Sequence, residues 1–198
     1  MAPILRLLAL AALLLAAACT KPVVWAPDET VAAARYRHPG PTEIVLFNVI
    51  NNQSGQGEHA ALMISAPSER VLFDGAGSWT HPASPERHDV HHGFTDEQLF
   101  RYTHYHARRT HHVLKQRLEV TPEQAEAILR LAQGYGPVPD ANCARAVALI
   151  LRQVPGFETL PVSYYPNVLS AAFARLPGVS EERIYSDAEP TERQRYTQ

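Results

Sequence analysis

Two cysteines stand in the chain, Cys19 and Cys143, in very different settings. Cys143 opens the run Asn142-Cys143-Ala144-Arg145-Ala146-Val147-Ala148-Leu149-Ile150-Leu151, where Ala146, Val147, Ile150 and Leu151 recur at helical spacing. Pro137 and Pro139 keep the preceding segment extended, and Asp140 or Asn142 can cap a helix there. A thiol at such a helix start meets unpaired N–H groups and the positive end of the helix dipole, both of which favour the thiolate. The thiolate is the nucleophilic form, so this position suits covalent acyl chemistry. The bland use of a free cysteine at the same place is as a small buried hydrophobe.

A thiol nucleophile needs a base to share its proton and a third group to orient that base. Residues 59–66 and 70–76 read as a hairpin around Pro67-Ser68. Pairing Ser65 with Arg70 sets Ala61 opposite Asp74 and His59 opposite Ala76. His59 and Asp74 then project from one face, diagonally across the hairpin and within side-chain reach. Singly, His59 also suits a structural strand end, and Asp74-Gly75 a turn. Spacing alone does not bring either residue to Cys143.

The remaining elements form a frame for these three residues. Residues 43–51 are a mostly apolar run of strand length, followed by a turn over 51–57. Residues 77–94 lack periodicity and read as a long loop. Thr95 starts a helix running to about Arg108, and 111–120 alternates as a strand. Thr121-Pro122-Glu123-Gln124 is a capping box, after which Ala125, Ile128, Leu129 and Ala132 face inward until Gly134 and Gly136. A last helix is expected over 167–176. The fold class is therefore α+β: an antiparallel sheet packed against a nucleophile-bearing helix, within one domain over 43–176. Residues 177–198 read as a polar tail with a disordered end.

Residues 1–18 carry one charge, Arg6, and an apolar run from Leu7 that is too short to span a bilayer. This is a signal peptide, and its end, Leu15-Ala16-Ala17-Ala18-Cys19, resembles a bacterial lipoprotein signal with Cys19 as the lipidated residue. The resemblance implies an outer-membrane lipoprotein facing the periplasm, with 19–42, rich in proline, as lipid anchor and tether. An ordinary secretory signal cleaved nearby is the other reading. With Cys19 lipidated, Cys143 is a lone thiol in an oxidising compartment, where a chemical use explains it better than packing. A Cys19–Cys143 disulfide would instead tie the tether to a helix start.

The chain holds 18 basic and 20 acidic residues, too balanced for a nucleic-acid partner. Charge is uneven, however. Residues 98–118 contain no acid, but include Arg101, Arg108, Arg109, Lys115 and Arg117 among several histidines. That run is either a solvated face or a basic surface for phosphate headgroups. Phe157, Leu160, Tyr164 and Tyr165 follow the Cys143 helix and suit the wall of an apolar acyl groove.

The segment Glu58-His59-Ala60-Ala61-Leu62-Met63-Ile64, the Asp74-Gly75 hairpin and the Asn142-Cys143 helix start together resemble the circularly permuted NlpC/P60 papain-like group. That group includes lecithin:retinol acyltransferase-like enzymes, in which a strand histidine precedes the helix cysteine. Gly57-Glu58-His59 with Asn142-Cys143-Ala144-Arg145 is also similar to periplasmic domains implicated in lipoprotein acyl remodelling. The resemblance covers roughly 43–152 and implies a papain-like permuted fold, with Cys143 as nucleophile and His59 as base. Its third polar residue falls on the strand after the histidine, where Asp74 stands and many members carry His or Asn. It implies a thiol hydrolase or acyltransferase without cofactor, acting as a monomer on lipid or lipoprotein acyl groups. Peptidoglycan peptides are the alternative substrate for the same site. A different class of function is a metal-binding lipoprotein that uses His88-Asp89-Val90-His91-His92 with His104, His106, His111 or His112.

Overall fold

The computed structural model describes residues 24–198. The segment 1–18 expected to be a signal peptide, and Cys19, expected to carry lipid, lie outside the described residues. The architecture is mixed α+β, built on one seven-stranded antiparallel sheet. In chain order its strands are β1 (Glu43–Asn51), β2 (Gly57–Ser65), β3 (Arg70–Phe73), β4 (Glu86–Arg87), β5 (Val90–His91), β6 (His111–Glu119) and β7 (Ser180–Ile184). They lie in the order β4-β5-β3-β2-β1-β6-β7. Strand β1 is central and covered on both faces, which is why its sequence is a continuous apolar run instead of an alternation.

Among the described residues five α-helices flank the sheet: α1 (Asp28–Ala34), α2 (Asp96–His106), α3 (Pro122–Gln133), α4 (Cys143–Leu151) and α5 (Pro166–Phe173). The strand period of two divides the core into two unlike layers. Ile44, Leu46, Ala60, Leu62 and Ile64 pack with the inward residues of α3, α4 and α5 in an aliphatic layer. Val45, Phe47, Ala61 and Met63 face the other way, onto Trp79, Phe94, Tyr102 and Tyr105. Helix α3 carries the full capping box, with Thr121 and Gln124 satisfying each other's backbone N–H groups. Each large side chain buried in either layer contributes about 1.5–3 kcal/mol.

Two features of β2 determine how His59 is presented. The pairing of β2 with β3 begins at Ser65↔Arg70, as the hairpin reading required, and ends at Leu62↔Phe73. The first residues of β2 therefore run on without a neighbour on that side. A bulge interrupts the β1–β2 ladder, where Val49 pairs with His59 but Ile50 pairs with Gly57, leaving Glu58 as the extra residue.

Both ends of the described chain are packed against the domain. Within the segment read as a tether, Ala26 N–H donates to the Glu86 carbonyl (3.0 Å) and Arg70 N–H to the Tyr36 carbonyl (2.7 Å). The Arg87 guanidinium lies 4.7 Å from the Trp25 ring, and Val31 of α1 is buried. The unpaired backbone of a sheet edge accepts such a strand-like cover. The polar segment after Pro177 supplies β7, followed by a 3-10 helix over Pro190–Tyr196. Strand β7 is almost wholly exposed, so no apolar alternation marks it in the sequence, and backbone pairing to β6 holds it. The 3-10 helix is tied to the aromatic layer by Trp79 Nε1, which donates to the Tyr196 carbonyl (3.1 Å). The loop over 77–94 contains β4 and β5, each too short to show a period.

Candidate active site

His59, Asp74 and Cys143 come together at the edge that β3 leaves open. His59 shares its face of β2 with Ala61 and Met63 and so points toward the aromatic layer. Asp74 follows β3 directly and is fully buried. His59 Nε2 lies 2.7 Å from Asp74 Oδ1. Cys143 belongs to the aliphatic layer, at the first position of α4. Its thiol is hydrogen-bonded to the His59 ring and to the backbone of Ala60 and Ala144. With Nε2 turned to Asp74, Nδ1 is the ring nitrogen left for the sulfur. The thiol thus reaches the histidine past the end of β3, where Ala60 has no strand partner on that side.

Local conformation fixes each member. Asn142 occupies the N-cap of α4 without capping it, because its side-chain amide donates to the Asp140 carbonyl (2.9 Å). The first N–H groups of α4 are thereby left for the sulfur and for whatever binds beside it. Asp74 is held from behind: its N–H donates to the Asp89 carbonyl (2.8 Å) and its carbonyl accepts from Gly77 N–H (2.7 Å). A Cβ on Gly77 would sit 1.8 Å from Asp74 Oδ2, so only glycine allows this turn. Tyr102 of α2 donates its hydroxyl to Asp74 Oδ1 (2.8 Å).

The charges follow from these contacts. Burial opposes ionisation of His59, but the Asp74 charge and hydrogen bond, with help from Cys143, outweigh it and lift the imidazole to about 10. Burial would also raise the Asp74 carboxyl, yet the His59 charge holds it well below the usual carboxylate range. For Cys143, burial pushes the thiol up. The His59 hydrogen bond and charge, then the N–H groups of Ala60 and Ala144, bring it below its ordinary value. Both shifts favour transfer of the thiol proton to His59, with the Asp74 carboxylate orienting the ring. Burial and the Asp74 charge push Tyr102 far up, so it remains a protonated donor.

A second histidine belongs to this group. His106 stacks on His59 with ring centroids 5.6 Å apart and planes 15° off parallel. Its Nδ1 donates to the Tyr102 carbonyl (3.0 Å), and burial together with the His59 charge drives it down to about 3, so it is neutral. Tyr102 and His106 are four residues apart on α2 and therefore share its inward face, which is a signal present in the sequence. It escapes an apolar count because the buried residues of α2 are Gln98, Tyr102, Thr103, Tyr105 and His106.

The other residues singled out in the sequence are dispersed. Phe157 and Leu160 are buried in the aliphatic layer. Tyr164 and Tyr165 are exposed, and the Arg145 guanidinium lies 5.9 Å from the Tyr164 ring, near the start of α4. The histidines have separate partners: His92 pairs with Glu69 (3.1 Å), His111 with Glu58 (2.6 Å) and His112 with Asn52 (2.7 Å). Among the described residues no three His, Cys, Asp or Glu side chains converge as a metal-ligating group. The acid-free run is largely neutralised by acids from elsewhere. Arg101 pairs with Glu97 (2.8 Å), Arg109 with Glu189, Lys115 with Glu182 (2.9 Å) and Arg117 with Glu43 and Glu119. Arg108 is the exception among the five.

No protein-family model, curated protein or solved structure matches this chain.

Proposed function

We propose that this protein is a thiol hydrolase or acyltransferase of the papain-like, circularly permuted NlpC/P60 kind, acting on lipid or lipoprotein acyl groups. One observation carries the proposal: the buried Cys143 thiol, at a helix start, is hydrogen-bonded to a His59 imidazole that is itself bonded to Asp74. In the first half-reaction the Cys143 thiolate attacks an ester or amide carbonyl. The carbonyl π electrons move to oxygen, and N–H groups at the start of α4 stabilise the oxyanion. Collapse of that intermediate breaks the bond to the leaving alcohol or amine, which takes its proton from His59 and leaves a thioester on Cys143. In the second half-reaction the now neutral His59 removes a proton from water, an alcohol or an amine. That nucleophile displaces the thiolate, and His59 is again the cation. Asp74 keeps the imidazole in one orientation throughout, and Tyr102 keeps Asp74 in place.

The lean toward lipid substrates rests on the lipoprotein-type signal ending at Cys19, which would hold the domain at the outer membrane facing the periplasm. Exposed Tyr164 and Tyr165, on the same side as the start of α4, suit a membrane-facing rim. The test is incubation of the protein with phospholipid vesicles, a diacylated lipopeptide and muropeptides, followed by intact-mass analysis for an acyl adduct on Cys143. The expected outcome is an adduct and acyl product from one of the lipids, absent in Cys143→Ala. Cys143-dependent cleavage of muropeptides alone would move the substrate to the cell wall. The absence of any adduct or product would end the enzyme reading.

A further inference from the structure

A cleft of about 210 Å³ is lined by His59 and His106 together with Glu58, Arg108, His111 and Arg193. Two guanidinium groups thus face one small space. Neither is in an ion pair with a carboxylate among the described residues, whereas the other basic residues around Arg108 all are. Arg108 is half-buried and anchored through one nitrogen: Nη1 donates to the carbonyls of Tyr105 (3.4 Å) and His106 (3.3 Å). That anchorage leaves Nε and Nη2 for an incoming ligand in the wall of the cleft. Arg193 lies with its guanidinium 5.4 Å from the Tyr105 ring, a contact that positions the group without neutralising it. The acid in the wall, Glu58, is engaged by His111 (2.6 Å) and Asn51 (2.9 Å). Burial and then the neighbouring Arg193 charge work against the Arg108 cation more than Tyr105 and Glu58 favour it, a balance that a further anion would improve.

We infer that the cleft is an anion subsite in which Arg108 and Arg193 hold the phosphodiester of a glycerophospholipid while its acyl ester lies at Cys143. The inference rests on the acyl-transfer reading and specifies its substrate class. Guanidinium forks match phosphate oxygens bidentately, and two of them in one cleft suit a group with two free oxygens. The headgroup would lie on the His59 and His106 side of the site, whereas Tyr164 and Tyr165 stand by Arg145 at the start of α4. This arrangement suits a lipid presented from a bilayer, with its apolar chains and its phosphate on different sides of the ester. Arg193 comes from the 3-10 helix packed on α2, so the C-terminal segment contributes to substrate choice as well as to the fold.

The test separates binding from chemistry. Dihexanoylphosphatidylglycerol, dihexanoylglycerol and a muropeptide are each titrated calorimetrically into the full chain bearing Cys143→Ala, in a neutral detergent. The phospholipid should bind, and Arg108→Gln and Arg193→Gln should each weaken it about tenfold, as expected for loss of a charge-assisted contact. The neutral diglyceride should bind weakly and equally in all three proteins. Circular dichroism melts of the arginine variants show whether the fold is kept, and Arg108→Lys should recover part of the affinity. Phospholipid binding that is absent, or that is unchanged in both folded arginine variants, overturns the subsite. Arginine-dependent binding of the muropeptide in place of the lipid overturns the phosphodiester assignment. In proteins that keep Cys143, acyl adducts forming equally in wild type, Arg108→Gln and Arg193→Gln would refute the subsite and leave the acyl chemistry standing. Arginine-dependent phospholipid binding without any adduct on Cys143 would refute the acyl chemistry alone.

Discussion

The two faces of the sheet do different work. The layer under α3, α4 and α5 is mainly aliphatic, Ile, Leu, Val and Ala with Phe73, Phe157 and Phe173, and its contribution to the site is to position a helix start and its thiol. The layer under α2 is aromatic and polar, with Trp79, Phe94, Tyr102 and Tyr105 around buried His91 and His106. Its contribution is to hold a carboxylate and decide the charge of the groups near it. Dispersion and burial are insensitive to protonation, whereas the hydrogen bonds of the second layer depend on it. Cys143 stands on the pH-indifferent layer and its electrostatic control on the pH-sensitive one.

Removing the control without the packing is the strongest way to test that division. Asp74→Asn should lower kcat by about 10²–10⁴-fold, because the histidine loses both its orientation and its raised basicity. The same change should raise the apparent thiol pKa, read from the pH dependence of iodoacetamide labelling of Cys143. The converse substitution is Ile128→Ala on α3, buried in the aliphatic layer. It should cost about 2–5 kcal/mol in denaturant unfolding while leaving the labelling pKa where it was. A thiol pKa that moved with Ile128 would mean that the two layers are not separable. A finer probe is Tyr102→Phe, which removes one donor from Asp74. It should cost about 1 kcal/mol of stability and shift the labelling curve by less than Asp74→Asn does.

The division should also show in how stability varies with pH. His106 is held down at about 3 in the fold, against about 6.5 when unfolded. The unfolded chain therefore binds a proton that the folded chain refuses, and stability declines as pH falls from about 6.5 toward 3. His59 has the opposite sign. Its folded value of about 10 stabilises fully below 6.5, and that contribution is lost as pH rises through about 10. Urea midpoints should be highest near neutrality, and His106→Gln should flatten the acidic limb while leaving the alkaline limb in place. An unchanged acidic limb would mean that the aromatic layer does not carry this proton linkage.

The same division explains how much of the molecule is legible in its sequence. The aliphatic layer is legible because its helices repeat apolar residues at helical spacing, as Ala125, Ile128, Leu129 and Ala132 do. The Ser65–Arg70 register is readable from a short hairpin, and it places His59 and Asp74 on one face. Helix α2 is different. It turns Gln98, Thr103 and His106 inward, and polar residues at helical spacing look like a solvated face. Tyr102 and His106 are therefore missed as site residues until tertiary contacts give them partners. The run of bases over 98–118 misleads for the same reason. The acids that neutralise it, such as Glu43, Glu182 and Glu189, are remote in sequence and arrive only on folding. Arg193 lies in a segment whose polarity suggests a tail. Its 3-10 helix exposes every apolar side chain at least partly and is held largely through backbone carbonyls.

The bulge at Glu58 governs how this scaffold tolerates change. His59 is held in register by an unbroken ladder from Val49↔His59 to Glu43↔Ser65, all of it on the far side of the bulge from the 51–56 turn. The turn carries Gly55 in a left-handed conformation with open space around it. A residue added to or lost from that turn alters strand pairing at Ile50 and Gly57, and the misfit ends at the already irregular Glu58. His59 does not slip to the other face, as it would in a regular hairpin. Loops of different length can thus be exchanged at this turn while the Cys143–His59–Asp74 contacts keep their register.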